Sequence, residues 1–149
     1  MSYKDLPFEQ RLETLGDEAE NRFEEWCRRN RLNYVRCGLN RPPLRMGDLP
    51  TRIRYWPDYL QSSRFVECQG FGKDQLVKLK IEKHGALRWW NDLHTVHLYL
   101  WDRVHERECF VDLDVIDGLI GQVGTLKTFP EGKPYFEFPA QTVFDRAEA

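Results

Sequence analysis

The 149-residue chain contains no apolar run approaching the roughly 20 residues of a membrane-spanning helix, which excludes that kind of anchor. Its first residues, MSYKDLPFEQRLETL, lack the apolar stretch of a secretory signal, so a cytoplasmic setting is expected. The four cysteines (Cys27, Cys37, Cys68 and Cys109) form no C-x-x-C pair. Without a secretion signal they read as reduced thiols rather than a disulfide framework. His94 and His97 stand three apart in an alternating segment, where they would face opposite ways, so a zinc site is not expected. There is no internal repeat and no low-complexity stretch. Net charge is also nearly absent, at −2, which would ordinarily count against a polyanionic partner.

That charge is unevenly placed. Residues 22–54 hold nine arginines against Glu24, Glu25 and Asp48, whereas residues 102–149 hold five basic and ten acidic side chains. A concentrated arginine stripe beside an acidic remainder suits phosphate binding on one face, although a solvated surface of mixed charge would read the same way. Hydrophobic residues at 41% and charged residues at 31% are those of a globular domain with one core.

Periodicity predicts an α/β fold, with an arm over residues 1–13 and a single domain over 14–149. TLGDEAENRFEEWCRRN places Leu15, Ala19, Phe23 and Trp26 at helical spacing, with arginines in the last turn to suit the helix dipole. LNYVRCG is a short strand candidate, and residues 39–51, with three prolines and a glycine, form a loop. Residues 53–60 read as a strand that Pro57 confines to an edge or a bulge. QSSR turns the chain and FVECQ completes a hairpin. Residues 74–92 read as a second helix capped by Asp74, with Leu76, Leu79, Ala86, Leu87 and Trp90 inward. TVHLYLW and ECFVDLDV are further strands, a short helix lies near 114–120, and KPYFEFPA is an edge strand. The sum is a mixed sheet of about five strands flanked by helices.

Asp58 and Glu67 then fall on neighbouring strands of one hairpin. Two carboxylates held together repel, and one is forced toward its protonated form unless a cation intervenes. A hard divalent ion, Mg²⁺ or Mn²⁺, would answer that need, with the Cys68 backbone carbonyl as a further oxygen ligand. Such an ion activates water and neutralises charge at a phosphodiester, chemistry that usually also wants a lysine. Structural readings compete: Asp58 after a proline can simply shape a turn, Glu67 can pair with Arg54 or Arg36, and Glu20 can be solvated.

The pattern Pro57-Asp58 followed by Glu67-x-Gln69 resembles the PD-(D/E)xK nuclease superfamily, which includes Holliday junction resolvases and Mrr-like restriction endonucleases. GDEAE, residues 16–20, is similar to the first-helix G-x-x-A-E signature of the resolvase-like branch, which would make Glu20 a third acid of the site. GFGKDQLVKLKIEKHGAL is similar to the loop and Lys-bearing helix that follow the third strand in those folds. The resemblance spans roughly residues 14–102.

It implies a restriction-endonuclease-like core and a metal-dependent DNA endonuclease of the junction-resolvase kind. It implies a homodimer that cuts two strands, and Arg28, Arg29, Arg36, Arg41, Arg45, Arg52 and Arg54 tracking DNA. Gln69 departs from the pattern, because it fills the lysine slot without a charge. It is expected to contact the attacking water or the scissile phosphate, with a displaced lysine supplying the charge. Lys80, placed inside the expected helix, is preferred to Lys73. The alternative is the same fold without catalysis, in a structural or DNA-organising role, as in a viral assembly in a host cytoplasm. An unrelated binding module is the third reading. Convergence of the three acids beside an ammonium would favour catalysis, and an arginine ion-paired into the cluster would favour the structural role.

Overall fold

The computed structural model describes residues 8–37 and 49–147. Most of the expected proline-rich loop, with Arg41 and Arg45, and residues 1–7 of the expected arm lie outside the described residues. The first helix, α1 (Phe8–Asn30), begins six residues before Thr14, so residues 8–13 are helical and not a loose arm. Leu15, Ala19, Phe23 and Cys27 recur every fourth residue and are buried along one stripe. Arg31 ends the helix in a left-handed conformation at φ 54°.

After α1 come β1 (Val35–Arg36), α2 (Thr51–Arg54), β2 (Tyr59–Leu60) and β3 (Phe65–Phe71). The expected strand over 53–60 is therefore a short helix followed by two strand residues. The hairpin itself is present, with Tyr59 opposite Val66 and Leu60 opposite Phe65, closed across Ser62 and Ser63 by the Gln61–Arg64 backbone pair.

Residues 74–80, expected to open a helix, form β4 (Leu76–Lys80), which runs directly into α3 (Ile81–Leu93). Gln75 has φ 55°, which interrupts any helix at that point. Val77 and Leu79 alternate inward while Lys78 and Lys80 face out, the period of a strand. What stabilises it is a partner distant in sequence. The chain continues through β5 (Val96–Asp102), β6 (Arg107–Asp112), α4 (Leu113–Val123), β7 (Thr125–Thr128), β8 (Pro134–Pro139) and α5 (Ala140–Phe144). β4 pairs antiparallel with β8, setting Val77 against Phe138 and Leu79 against Phe136. The strand expected at an edge is thus the centre of a second sheet, ordered β4-β8-β7.

The main sheet has five strands in the order β1-β2-β3-β5-β6, parallel at β3–β5 and antiparallel elsewhere. Its two faces carry separate cores. On one, α1 packs Ala19, Phe23 and Cys27 over Val66, Cys68, Tyr99 and Phe110. On the other, α3, α4 and the second sheet enclose Leu98, Leu100, Val111, Ile116 and Phe138. All four cysteines are free thiols, and among the described residues no helix is long and apolar enough to cross a membrane.

α1 approaches β3 most closely at Gly70, where an added Cβ would lie 2.6 Å from the Leu15 carbonyl oxygen. That neighbour is helix backbone and cannot rotate away. Gly70→Ala is expected to lower stability by about 1–3 kcal/mol, read as a reduced urea midpoint with an unchanged m-value.

Candidate active site

β2 stops after two residues, so β3 continues past Val66 with one edge open. Carried one residue further, the hairpin register would set Asp58 opposite Glu67. The chain instead bends away, and the Asp58 carboxylate accepts the hydrogen bond that a longer β2 would have taken: Cys68 N–H to Asp58 Oδ2, 2.9 Å. Cys37 fixes this bend from the other side, its N–H reaching the Asp58 carbonyl at 3.0 Å and its thiol the Pro57 carbonyl at 3.2 Å. Burial, then Asp58 and Glu67, push the Cys37 thiol up to about 11, which makes it an inert structural group.

Glu67 is 4% exposed. Burial first, and then the neighbouring Asp58 carboxylate, hold its pKa well above the usual carboxylate range, and its protonated form hydrogen-bonds to Asp58. The opposing charge is Lys83, from the first turn of α3, whose ammonium lies 3.7 Å from Glu67 Oε1. Burial alone would weaken that ammonium, but Glu67 and Asp58 outweigh it and raise its pKa. Tyr55 adjoins, its hydroxyl donating to Glu82 at 3.3 Å.

Glu20 approaches from α1. Burial and then Asp58 raise its pKa, against the pull of Arg36. The Arg36 guanidinium reaches Glu20 at 2.6 Å, Glu24 at 3.5 Å and the Tyr59 hydroxyl at 3.3 Å. Glu67 and Glu20 both feel the Asp58 charge, an ammonium stands beside Glu67, and Glu20 is ion-paired to an arginine.

Other expected residues stand as follows. Gln69 lies on β3, and its amide donates to the Lys78 carbonyl at 2.8 Å, which ties the main sheet to β4. Lys73 sits in the turn between β3 and β4. Lys80 belongs to β4 and not to the helix, with its ammonium 5.8 Å from the Phe129 ring centre. The lysine brought to Glu67 is Lys83, which the sequence analysis did not single out. On the expected helix Lys83 falls on the same stripe as Leu79, Ala86, Leu87 and Trp90, and that spacing is the signal that could have singled it out.

Of the arginines, Arg29 pairs with Glu108 at 3.1 Å, Arg54 with Glu82 at 3.6 Å, and Arg52 stacks 4.6 Å over Trp89. Arg28 is exposed at the end of α1, and Arg41 and Arg45 lie outside the described residues.

The donor set is one of hard oxygens, which suits Mg²⁺ or Mn²⁺. Because the N–H and C=O of a strand residue point to the same edge, the Cys68 carbonyl opens toward Asp58 as well. Among the described residues no group of three or more His, Cys, Asp or Glu side chains is arranged to hold a metal ion. The protein donors that fit are therefore the Asp58 and Glu67 carboxylates with that carbonyl, a number that leaves room for water and phosphate.

No protein-family profile matches the chain, and no curated protein matches it in sequence. Among solved structures it is similar to a Holliday junction resolvase, Hjc, from the archaeal hyperthermophile Archaeoglobus fulgidus. The TM-score is 0.54, over 89% of this chain and 89% of that one, at 10% identity. The chain therefore has the mixed α/β, restriction-endonuclease-like fold expected from its sequence.

A buried carboxyl whose pKa is raised favours folding at low pH, and that contribution fades as pH climbs through its folded value. Glu67→Gln keeps the shape and removes the charge. The variant is expected to match the wild type near or below pH 4.5, the ordinary carboxyl value, and to lose less stability than the wild type as pH rises toward neutrality. Urea midpoints measured across that range would show the two curves diverging upward.

Proposed function

We propose that the protein is a metal-dependent DNA endonuclease, selective for branched or otherwise distorted DNA in the manner of a junction resolvase. One observation carries the reading. Lys83 stands against Glu67 at the open edge of β3, so that an ammonium and two carboxylates meet where the lysine slot of the strand holds Gln69. Perturbed carboxyl groups that lie beside one another and a buried cation at an open strand edge favour a functional site.

Asp58 and Glu67, with the Cys68 carbonyl, would hold the divalent ion. When bound, that ion lowers the pKa of water and neutralises charge at phosphorus. Asp58 is pre-oriented by the Cys68 N–H, and Glu67 gives up its shared proton as it takes up a cation, so metal affinity rises with pH. Lys83 presents fixed positive charge to the phosphate, where it stabilises the negative charge that builds during attack. Glu20 acts by orienting water, once Arg36 turns from it to a DNA phosphate. Arg28 at the end of α1 and Arg52 and Arg54 of α2 are candidate phosphate contacts, as are Arg41 and Arg45 outside the described residues. Two such sites in a homodimer would cut both strands of a junction.

A second reading has its own support. The Arg36–Glu20 pair occupies one acid, and the described residues hold no three-ligand metal group, as suits a silent fold serving a structural or DNA-organising role.

Cleavage of linear, supercoiled and four-way-junction DNA in Mg²⁺ or Mn²⁺ separates the two. The nuclease reading expects junction cutting that is abolished in Asp58→Ala and Glu67→Ala. It expects Lys83→Met to be slower by about 10²–10³-fold. Wild-type protein that neither binds metal nor cuts, with its fold intact, would establish the silent reading.

A further inference from the structure

A cleft of about 260 Å³ opens beside Lys83, between the second sheet and Leu15–Gly16 of α1, bounded in part by Gly16, Gly72, Lys78, Lys80 and Phe129. We propose that it is a second phosphate subsite, which takes a phosphate of the bound strand next to the one cut, with Lys80 as its principal cation. The source of the phosphate rests on the nuclease reading above; the anion chemistry of the cleft does not.

Lys78 and Lys80 are two apart on β4 and project from one face, opposite the buried Val77 and Leu79. Lys83 enters from the following helix. Three of the surrounding ammonium groups already have carboxylate partners: Lys78 with Asp74 at 2.9 Å, Lys83 with Glu67 at 3.7 Å, and Lys133 with Glu82 at 3.5 Å.

Lys80 differs. Among the described residues no carboxylate lies within 4 Å of its ammonium, and the group it faces is the Phe129 ring. Burial, followed by the charge of Lys133, pushes its pKa down, with Glu131 and Glu82 opposing at longer range. α3 starts at the next residue and has no side-chain cap, so its first N–H groups add positive potential to the same place.

A half-buried cation crowded by like charge makes the free fold less stable, and a phosphate in the cleft would relieve the repulsion. Space is open beside two glycines of its rim. At Gly16 and Gly72 a Cβ would meet no heavy atom within 4 Å.

The test is binding in EDTA, where nothing is cut. A 5′-phosphorylated thymidine tetranucleotide and thymidine 5′-monophosphate are titrated into wild type, Lys80→Met and, as a control for surface charge, Lys127→Met, across a range of NaCl. Lys80→Met is expected to bind the tetranucleotide at least about threefold more weakly at low salt, with the slope of log K against log salt smaller by about one. Its urea midpoint is expected to equal or exceed that of the wild type.

Monophosphate binding that is equally sensitive to Lys80 would uphold the phosphate site and make its ligand a mononucleotide. Tetranucleotide affinity and salt slope unchanged in Lys80→Met would overturn the proposal, as would a lowered urea midpoint with binding intact. A wild type that fails to cut in Mg²⁺ would sink the nuclease reading and leave these binding outcomes readable by themselves.

Discussion

A carboxylate almost fully withdrawn from water has to be met by charge or by a proton, and Glu67 is met by both. Lys83 supplies the charge at 3.7 Å, and the hydrogen bond to Asp58 supplies a place for the proton. The surrounding architecture follows from that requirement. β2 must end early so that Asp58 can turn in, Cys37 must hold the bend, and α3 must begin where its first turn reaches β3. An apolar residue at position 67 would need none of this, and the sheet edge could simply be paired.

The two faces of the main sheet divide the labour. The α1 face is an aromatic cluster in which Phe23 lies 4.7 Å from Tyr59 and 5.6 Å from Tyr99, with the polar ends of the tyrosines turned to carboxylates: Tyr59 to Glu24 at 2.6 Å, and Tyr99 to Glu108. These bonds let the rings be buried without stranding their hydroxyls. Glu20 is one turn before Glu24 on the same helix, so the interactions that fix α1 also fix the third acid and its arginine. The opposite face mixes aliphatic side chains with Phe71, Trp90 and Phe138, and it carries the lysine.

Much of this was legible in the sequence. Leu15, Ala19, Phe23 and the terminal arginines mark α1, and the Pro57-Asp58 to Glu67 spacing marks the hairpin, because both signals are local. The alternation in LVKLK was equally visible but was absorbed into a helix, since Ala86, Leu87 and Trp90 just beyond it are truly helical and buried. Only the pairing with Tyr135, Phe136 and Phe138, far along the chain, makes residues 76–80 a strand. That single error moved the expected helix start from Ile81 back to Asp74. Gln69 could not be resolved from its neighbours either: a lysine there would have pointed a charge at the site, whereas its amide is spent on a carbonyl of the other sheet.

Because β4 runs into α3 without a connecting loop, Lys83 is placed by a strand whose own place depends on β8. On the ribosome the acidic residues emerge early, while the strand that seats the ammonium emerges near the C-terminal end of the described chain. Glu20, Asp58 and Glu67 thus leave the ribosome well before the strand that fixes the place of the cation. The complete cluster is a late product of synthesis, and a polypeptide interrupted before β8 would carry the acids without the charge that balances them.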